Sequence, residues 1–117
     1  MKRIFEKKLM TKYPRMLRCG LLETPDGWYK LVGMLCAQLS VVCPDLKAYQ
    51  IKSKFGGLRF YIEEPTSNLS AKKLISEAEM KSFGVCEFCG KPGKTIKVRH
   101  WIYTVCPSHQ RVLESEK

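Results

Sequence analysis

Cys86 and Cys89 form a C-x2-C pair followed directly by Gly90, and Cys106 and His109 form a C-x2-H pair, with sixteen residues between the two pairs. Two thiolates at that spacing grip one side of a small ion from a tight turn, and the intervening chain must fold back to deliver the other two donors. Zn²⁺ suits such a set because it takes four N or S ligands in a tetrahedron and makes no redox demand. The expected cofactor is one structural zinc on Cys86, Cys89, Cys106 and His109. Catalytic zinc keeps a position open for water or substrate, and four protein donors leave none. The competing readings are accidental spacing and a pair of disulfides. Two matched pairs within 24 residues argue against accident, and an intracellular chain argues against disulfides. His100 is the alternative imidazole, placed mid-hairpin beside Trp101.

The segment between the pairs is built to close the loop. Residues 95–99 and 101–105 are rich in β-branched and aromatic side chains, which predicts a hairpin carrying Cys106 back toward Cys86. Residues 109–114 can start a short terminal helix. Knuckle, hairpin and two ligands at a helix start make a zinc-ribbon or treble-clef-like module over residues 84–117. Its few apolar residues cannot offset chain entropy, so losing the metal should unfold it.

Upstream, residues 1–83 read as a basic α+β domain, packed with the module as one unit. Phe5, Leu9 and Tyr13 recur every four positions, followed by Met16 and Leu17, and Pro14 breaks that helix near Tyr13. The apolar face is expected to pack on the domain rather than on a membrane. Residues 20–27 read as a loop, with Asp26 capping the helix that follows. Trp28, Leu31, Val32, Leu35, Leu39 and Val42 mark one face of that helix, Cys36 and Cys43 lie on or beside it as small core residues, and Pro44 closes it. Residues 48–62 switch to period two around Gly56-Gly57, which predicts a β-hairpin with the glycines at its tight turn. Residues 68–82 form a further helix, with Ala71, Leu74, Ile75 and Ala78 inward. The fold class is therefore α+β: a small helical and β-hairpin domain with a C-terminal zinc-ribbon or treble-clef-like module.

No other chemistry stands out. Gly56-Gly57 lacks the spacing and the Lys-Ser/Thr ending of a phosphate cradle. Glu63 and Glu64 are neighbours in a strand and point to opposite faces, so they do not form a catalytic pair. Cys19, beside Gly20 after a cationic run, is the one thiol with a case for reactivity, and no role is the simpler reading. With no triad and no open metal site, no enzyme is expected. No run approaches the roughly 18 apolar residues of a membrane span. Glu6-Lys7-Lys8 interrupts any signal-peptide core. A cytoplasmic protein is the expectation.

The formal charge is +10, from 21 Lys and Arg against 11 Asp and Glu. The excess sits in residues 1–18, 48–62 and 83–110. A surface this basic suits nucleic acid, an acidic protein face, anionic lipid or simple solubility. The candidate nucleic-acid contacts are Lys52, Lys54, Arg59, Lys94, Lys97 and Arg99, with Tyr61, Trp101 and Tyr103 as aromatic partners.

Several blocks carry a resemblance: Lys12-Tyr13-Pro14, Asp26-Gly27-Trp28-Tyr29, residues 52–61 (Lys-Ser-Lys-Phe-Gly-Gly-Leu-Arg-Phe-Tyr), residues 86–93 (Cys-Glu-Phe-Cys-Gly-Lys-Pro-Gly) and residues 101–106 (Trp-Ile-Tyr-Thr-Val-Cys). Together they resemble a group of small zinc-ribbon-containing proteins of bacteriophages and prophages. The resemblance spans most of the chain and brings no established activity with it. It implies a phage-derived accessory protein in a bacterial host cell. Two functions fit: a zinc-stabilised, non-enzymatic binder of nucleic acid or of a nucleoprotein complex, and an inhibitor that docks on a host protein of an antiphage defence system, as anti-CRISPR proteins do.

Overall fold

A computed structural model describes residues 2–17, 21–63 and 66–115. Cys19, Gly20 and Glu64, singled out above, lie outside the described residues. The chain is a small α+β domain with a mixed sheet, a second two-stranded sheet and a C-terminal zinc-ribbon-like element. Among the described residues no helix is long and apolar enough to cross a membrane.

The first helix, α1 (Arg3–Lys12), ends at Tyr13, and Pro14 opens the short α2 (Pro14–Leu17). Leu9, Met16 and Leu17 are buried, and the Phe5 ring stacks on Tyr29 at 4.3 Å, so this apolar face packs on the domain. In α3 (Tyr29–Val42) the buried face is Val32, Leu35, Cys36 and Leu39, with Trp28 buried just ahead of it. Burial pushes the Cys36 thiol up to about 12, as expected of a thiol with little water to solvate its anion. α4 (Leu69–Ser82) begins at Asn68, whose side-chain oxygen accepts from the Ala71 N–H. The Asn68 amide also donates to the Val42 carbonyl, pinning the start of α4 to the end of α3.

Strands β2 (Ala48–Lys54) and β3 (Gly57–Ile62) form the antiparallel hairpin, and its inner face buries Ile51, Leu58 and Phe60 against the helices. β3 lies at the sheet edge, where exposed N–H groups would invite another strand. Here α4 closes that edge: the Leu58 N–H donates to Ser82 Oγ and the Phe60 N–H to Glu79 Oε2.

Three local expectations are corrected. Residues 20–27 are not all loop: β1 (Leu21–Glu23) pairs in parallel with β2. Three residues are too few to show alternation, and the pairing partner lies almost thirty positions away. Asp26 does not cap α3; it opens a 3₁₀ turn (Asp26–Trp28), and its carboxylate accepts the Lys2 backbone N–H. The hairpin turn is Phe55-Gly56, not Gly56-Gly57, because Lys54 pairs with Gly57 across it and both turn residues have positive φ. Gly57 is a strand residue instead, required by contact: a Cβ there would lie 2.3 Å from the Phe83 ring.

Candidate metal centre

The C-terminal element begins at a knuckle. The Cys86 N–H donates to the Lys91 carbonyl, the Gly90 N–H donates to the Cys86 carbonyl, and Val85 bridges Pro92. Gly90 has φ +80, a region glycine enters without steric cost, and a Cβ there would also meet the Gly27 carbonyl oxygen at 2.9 Å. The chain then runs through β4 (Lys94–Val98) and β5 (Trp101–Val105), an antiparallel hairpin turning at Arg99 and His100. Cys106 leads directly into α5 (Pro107–Ser115). Proline in the first turn costs no helical hydrogen bond, and His109 follows one turn after Cys106.

This path brings Cys86, Cys89, Cys106 and His109 together, with all four donor atoms within 4.8 Å of one another. Cys89 Sγ lies 3.7 Å from Cys106 Sγ, and His109 Nδ1 lies 3.6 Å from Cys86 Sγ and 3.2 Å from Cys106 Sγ. A tetrahedral ion with Zn–S near 2.3 Å sets its sulfurs about 3.8 Å apart. The donor set and its edges therefore fit a structural metal ion, with His109 offering Nδ1. Sulfurs 3.7 Å apart are not bonded, since a disulfide spans about 2.05 Å. His100 stays outside the cluster, exposed at the β4–β5 turn. The backbone N–H of His109, with its imidazole, lowers the Cys106 thiol to about 6. Partial desolvation chiefly raises Cys89, with its cysteine neighbours adding to it.

The apolar support is slight. Cys86, Val105 and Cys106 are the buried members of the local cluster, with Ile96, Tyr103 and Leu113 packed beside them. Burying a side chain such as Val contributes about 1.5–3 kcal/mol, whereas ordering each residue costs about 1–2 kcal/mol. Metal binding, at about 10–16 kcal/mol for comparable sites, would exceed what any one of these buried side chains contributes.

Two sequence blocks from the first half of the chain dock on this element. The Asp26–Trp28 turn meets the knuckle: the Gly27 N–H donates to the Glu87 carbonyl, and Trp28 Nε1 donates to the Val85 carbonyl at 2.9 Å. The β2–β3 turn meets the second hairpin: Thr104 Oγ1 donates to the Gly56 carbonyl at 2.6 Å and shares a hydrogen bond with Thr95. Glu87 joins the two regions. Its carboxylate accepts from Ser53 Oγ and from the Thr104 N–H, and its own N–H donates to the Thr104 carbonyl. Burial raises the Glu87 carboxyl above the usual range, and these hydrogen bonds pull it partly back. The sequence reading missed Glu87, Ser53 and Thr104. The available signal was a charged residue inside a tight C-x2-C knuckle, where no solvated face is expected.

The six basic candidates divide. Lys52 and Arg59 are cross-strand partners on the outer face of the larger sheet, and Lys54 follows Lys52 by two residues on the same face. Lys97 shares the β4–β5 face of Thr95, Ile102 and Thr104, which meets the Phe55-Gly56 turn. Lys94 lies on the opposite face, with Ile96 and Val105, and Arg99 sits at the turn. Among the aromatic candidates, Trp101 is 70% exposed, whereas Tyr103 packs beside Cys86, Val105 and Cys106. Comparison with known proteins found no matching family model, no matching curated protein and no matching solved structure.

Proposed function

We propose that this is a non-enzymatic, zinc-stabilised accessory protein of phage type that binds nucleic acid or a nucleic-acid-handling complex. The observation that carries the reading is the grouping of Lys52, Lys54 and Arg59 on one outward sheet face of a chain with formal charge +10. Exposed cations displace the counterions condensed on a phosphate chain, giving affinity that falls with salt. The metal serves as scaffold in this reading: four protein donors fill a tetrahedral shell and leave no position for a substrate. The phage-type origin rests on the sequence blocks named above. An electrophoretic shift assay with DNA and with RNA at two salt concentrations tests the proposal. A shift at low salt that fades at high salt is expected, and no shift with either polymer at low salt ends it.

A second reading, an inhibitor docking on an acidic face of a host antiphage protein, draws on a different surface. Beside the knuckle lies a groove of about 650 Å³ with Lys2, Lys30, Lys81 and Lys91 at its walls and the exposed Met34 and Phe88 within it. Four lysines against one carboxylate, Asp26, beside exposed apolar side chains suit an acidic protein partner. A stoichiometric partner recovered from nuclease-treated host lysate, and lost when Lys30 and Lys81 become Glu, would favour this reading over the first.

A further inference from the structure

We propose that the outward face of β2 and β3 is a platform for a single nucleic-acid strand, on which Tyr49 and Tyr61 stack an unpaired base while Lys52, Lys54 and Arg59 hold the adjoining phosphates. The inference rests on the nucleic-acid reading and narrows it to a strand type and a surface.

The geometry begins with a defect in the sheet. Simple alternation would place Tyr49 on the same side as Ile51, toward the core. The register shifts between Ala48 and Gln50, a bulge that gives β2 one extra residue. Ala48 and Ile51 are then both buried, three positions apart, and Tyr49 turns outward to 47% exposure. There its ring stacks on Tyr61, with centroids 5.7 Å apart and planes at 25°. Lys52 Nζ sits 5.9 Å from the Tyr61 centroid. The bulge thus places an aromatic pair on the solvent face beside Lys52 and Arg59, where core packing gives no reason for one.

The turn extends the same surface. Phe55 is 65% exposed and adopts φ 54, a region that costs a bulky side chain on the order of 1 kcal/mol or more. Asn or Gly would fill that position without strain and without exposing a ring. Lys54 Nζ stands 5.7 Å from the Phe55 centroid. Cations and aromatic faces therefore alternate from Tyr49 and Tyr61, through Lys52 and Arg59, to Lys54 and Phe55. Glu23 of β1 is in register with Lys52, so a phosphate chain is favoured along β3 and the turn rather than across β1. Aromatic platforms stack bases that are not already paired, and this sheet face presents no helix to enter a duplex groove.

The test uses the full zinc-loaded chain and fluorescence anisotropy. The probes are labelled oligonucleotides of about 15 residues: one single-stranded DNA, the same sequence as RNA, and the DNA as a duplex. Titrations run at about 50 and about 200 mM salt. Both single strands should bind more tightly than the duplex, and the tighter of the two names the sugar chemistry of the natural ligand. Tyr49→Ala should weaken single-strand binding by about fivefold or more and leave duplex binding unchanged. The Lys52→Gln/Arg59→Gln pair should lower the salt slope of single-strand binding by about 1.4. Lys72→Gln/Lys73→Gln, on α4 away from the face, serves as the charge control and should leave that slope unchanged. Thermal melting of each variant confirms that the fold is kept. Duplex binding as tight as single-strand binding, an unaffected Tyr49→Ala, or an equal loss in the α4 control overturns the platform while leaving nucleic-acid binding standing. Absence of binding to all three probes at low salt overturns both.

Discussion

Gly27→Ala and Gly33→Ala make the same chemical change and should move stability in opposite directions. At Gly27 a Cβ would lie 2.0 Å from the Cys86 carbonyl oxygen, 2.7 Å from the Glu87 carbonyl carbon and 2.8 Å from its oxygen. These are backbone atoms of the metal knuckle and cannot rotate away. The Asp26–Trp28 turn must therefore lift off, weakening the Gly27–Glu87 and Trp28–Val85 hydrogen bonds. Two such bonds contribute about 1 kcal/mol each, and overpacking adds about 1–3 kcal/mol, so a loss of about 3–5 kcal/mol is expected. At Gly33, inside α3, the nearest atom is Leu9 Cδ2 at 3.5 Å, an ordinary contact. The helix then gains the propensity difference, about 0.8–1 kcal/mol. In thermal denaturation of the zinc-loaded protein, Gly33→Ala should melt about 4 °C higher and Gly27→Ala more than about 10 °C lower. Metal content should stay near native in both, because every ligand remains. A Gly27→Ala protein within about 1 kcal/mol of native stability would refute the docking of this turn on the knuckle.

Thr104→Val keeps the shape of the side chain but strips the Gly56 carbonyl of its donor; chemical denaturation should show a loss of about 1–3 kcal/mol. Cys86→Ser should abolish zinc retention, measured by elemental analysis, and collapse the hairpin resonances of residues 94–105 in an NMR spectrum. Cys36 supplies a pH prediction. Burial holds its folded pKa at about 12, above the ordinary thiol value of 9.0, so the stability it contributes is complete below pH 9.0 and is lost as pH rises through about 12. Alkylation of the native protein near neutral pH should accordingly spare Cys36, and labelling should appear only after denaturation.

The features legible in the sequence were those with short-range signals. The α3 face could be read because apolar side chains recur at helical spacing from Trp28 to Leu39. The ligand set could be read because C-x2-C and C-x2-H are local patterns, and the structure brings their donors within 4.8 Å. The hairpin was legible as a hairpin, but its turn was not: which of Phe55, Gly56 and Gly57 takes the positive φ depends on the Phe83 ring packed against Gly57. β1 escaped notice because three residues carry no period and its pairing is parallel and distant. Tyr49 escaped for a related reason, since a one-residue bulge reverses the side it faces and leaves no mark in the alternation. Glu87 looked like one charge among many. Its role depends on Ser53 and Thr104, each at least 17 positions away. Long-range contacts of this kind do not appear in spacing, and they are what join the Asp26-Gly27-Trp28 block to the knuckle and the Phe55-Gly56 block to the β4–β5 hairpin.

The central claim is that one zinc ion holds the C-terminal element through three thiolates and one imidazole. Zinc-edge X-ray absorption on protein purified without chelator tests it most directly. The expected spectrum has three sulfur neighbours at about 2.3 Å and one nitrogen at about 2.0–2.1 Å for a single zinc per chain. Protein free of zinc, or a shell that includes water oxygen in place of one of these donors, would contradict it.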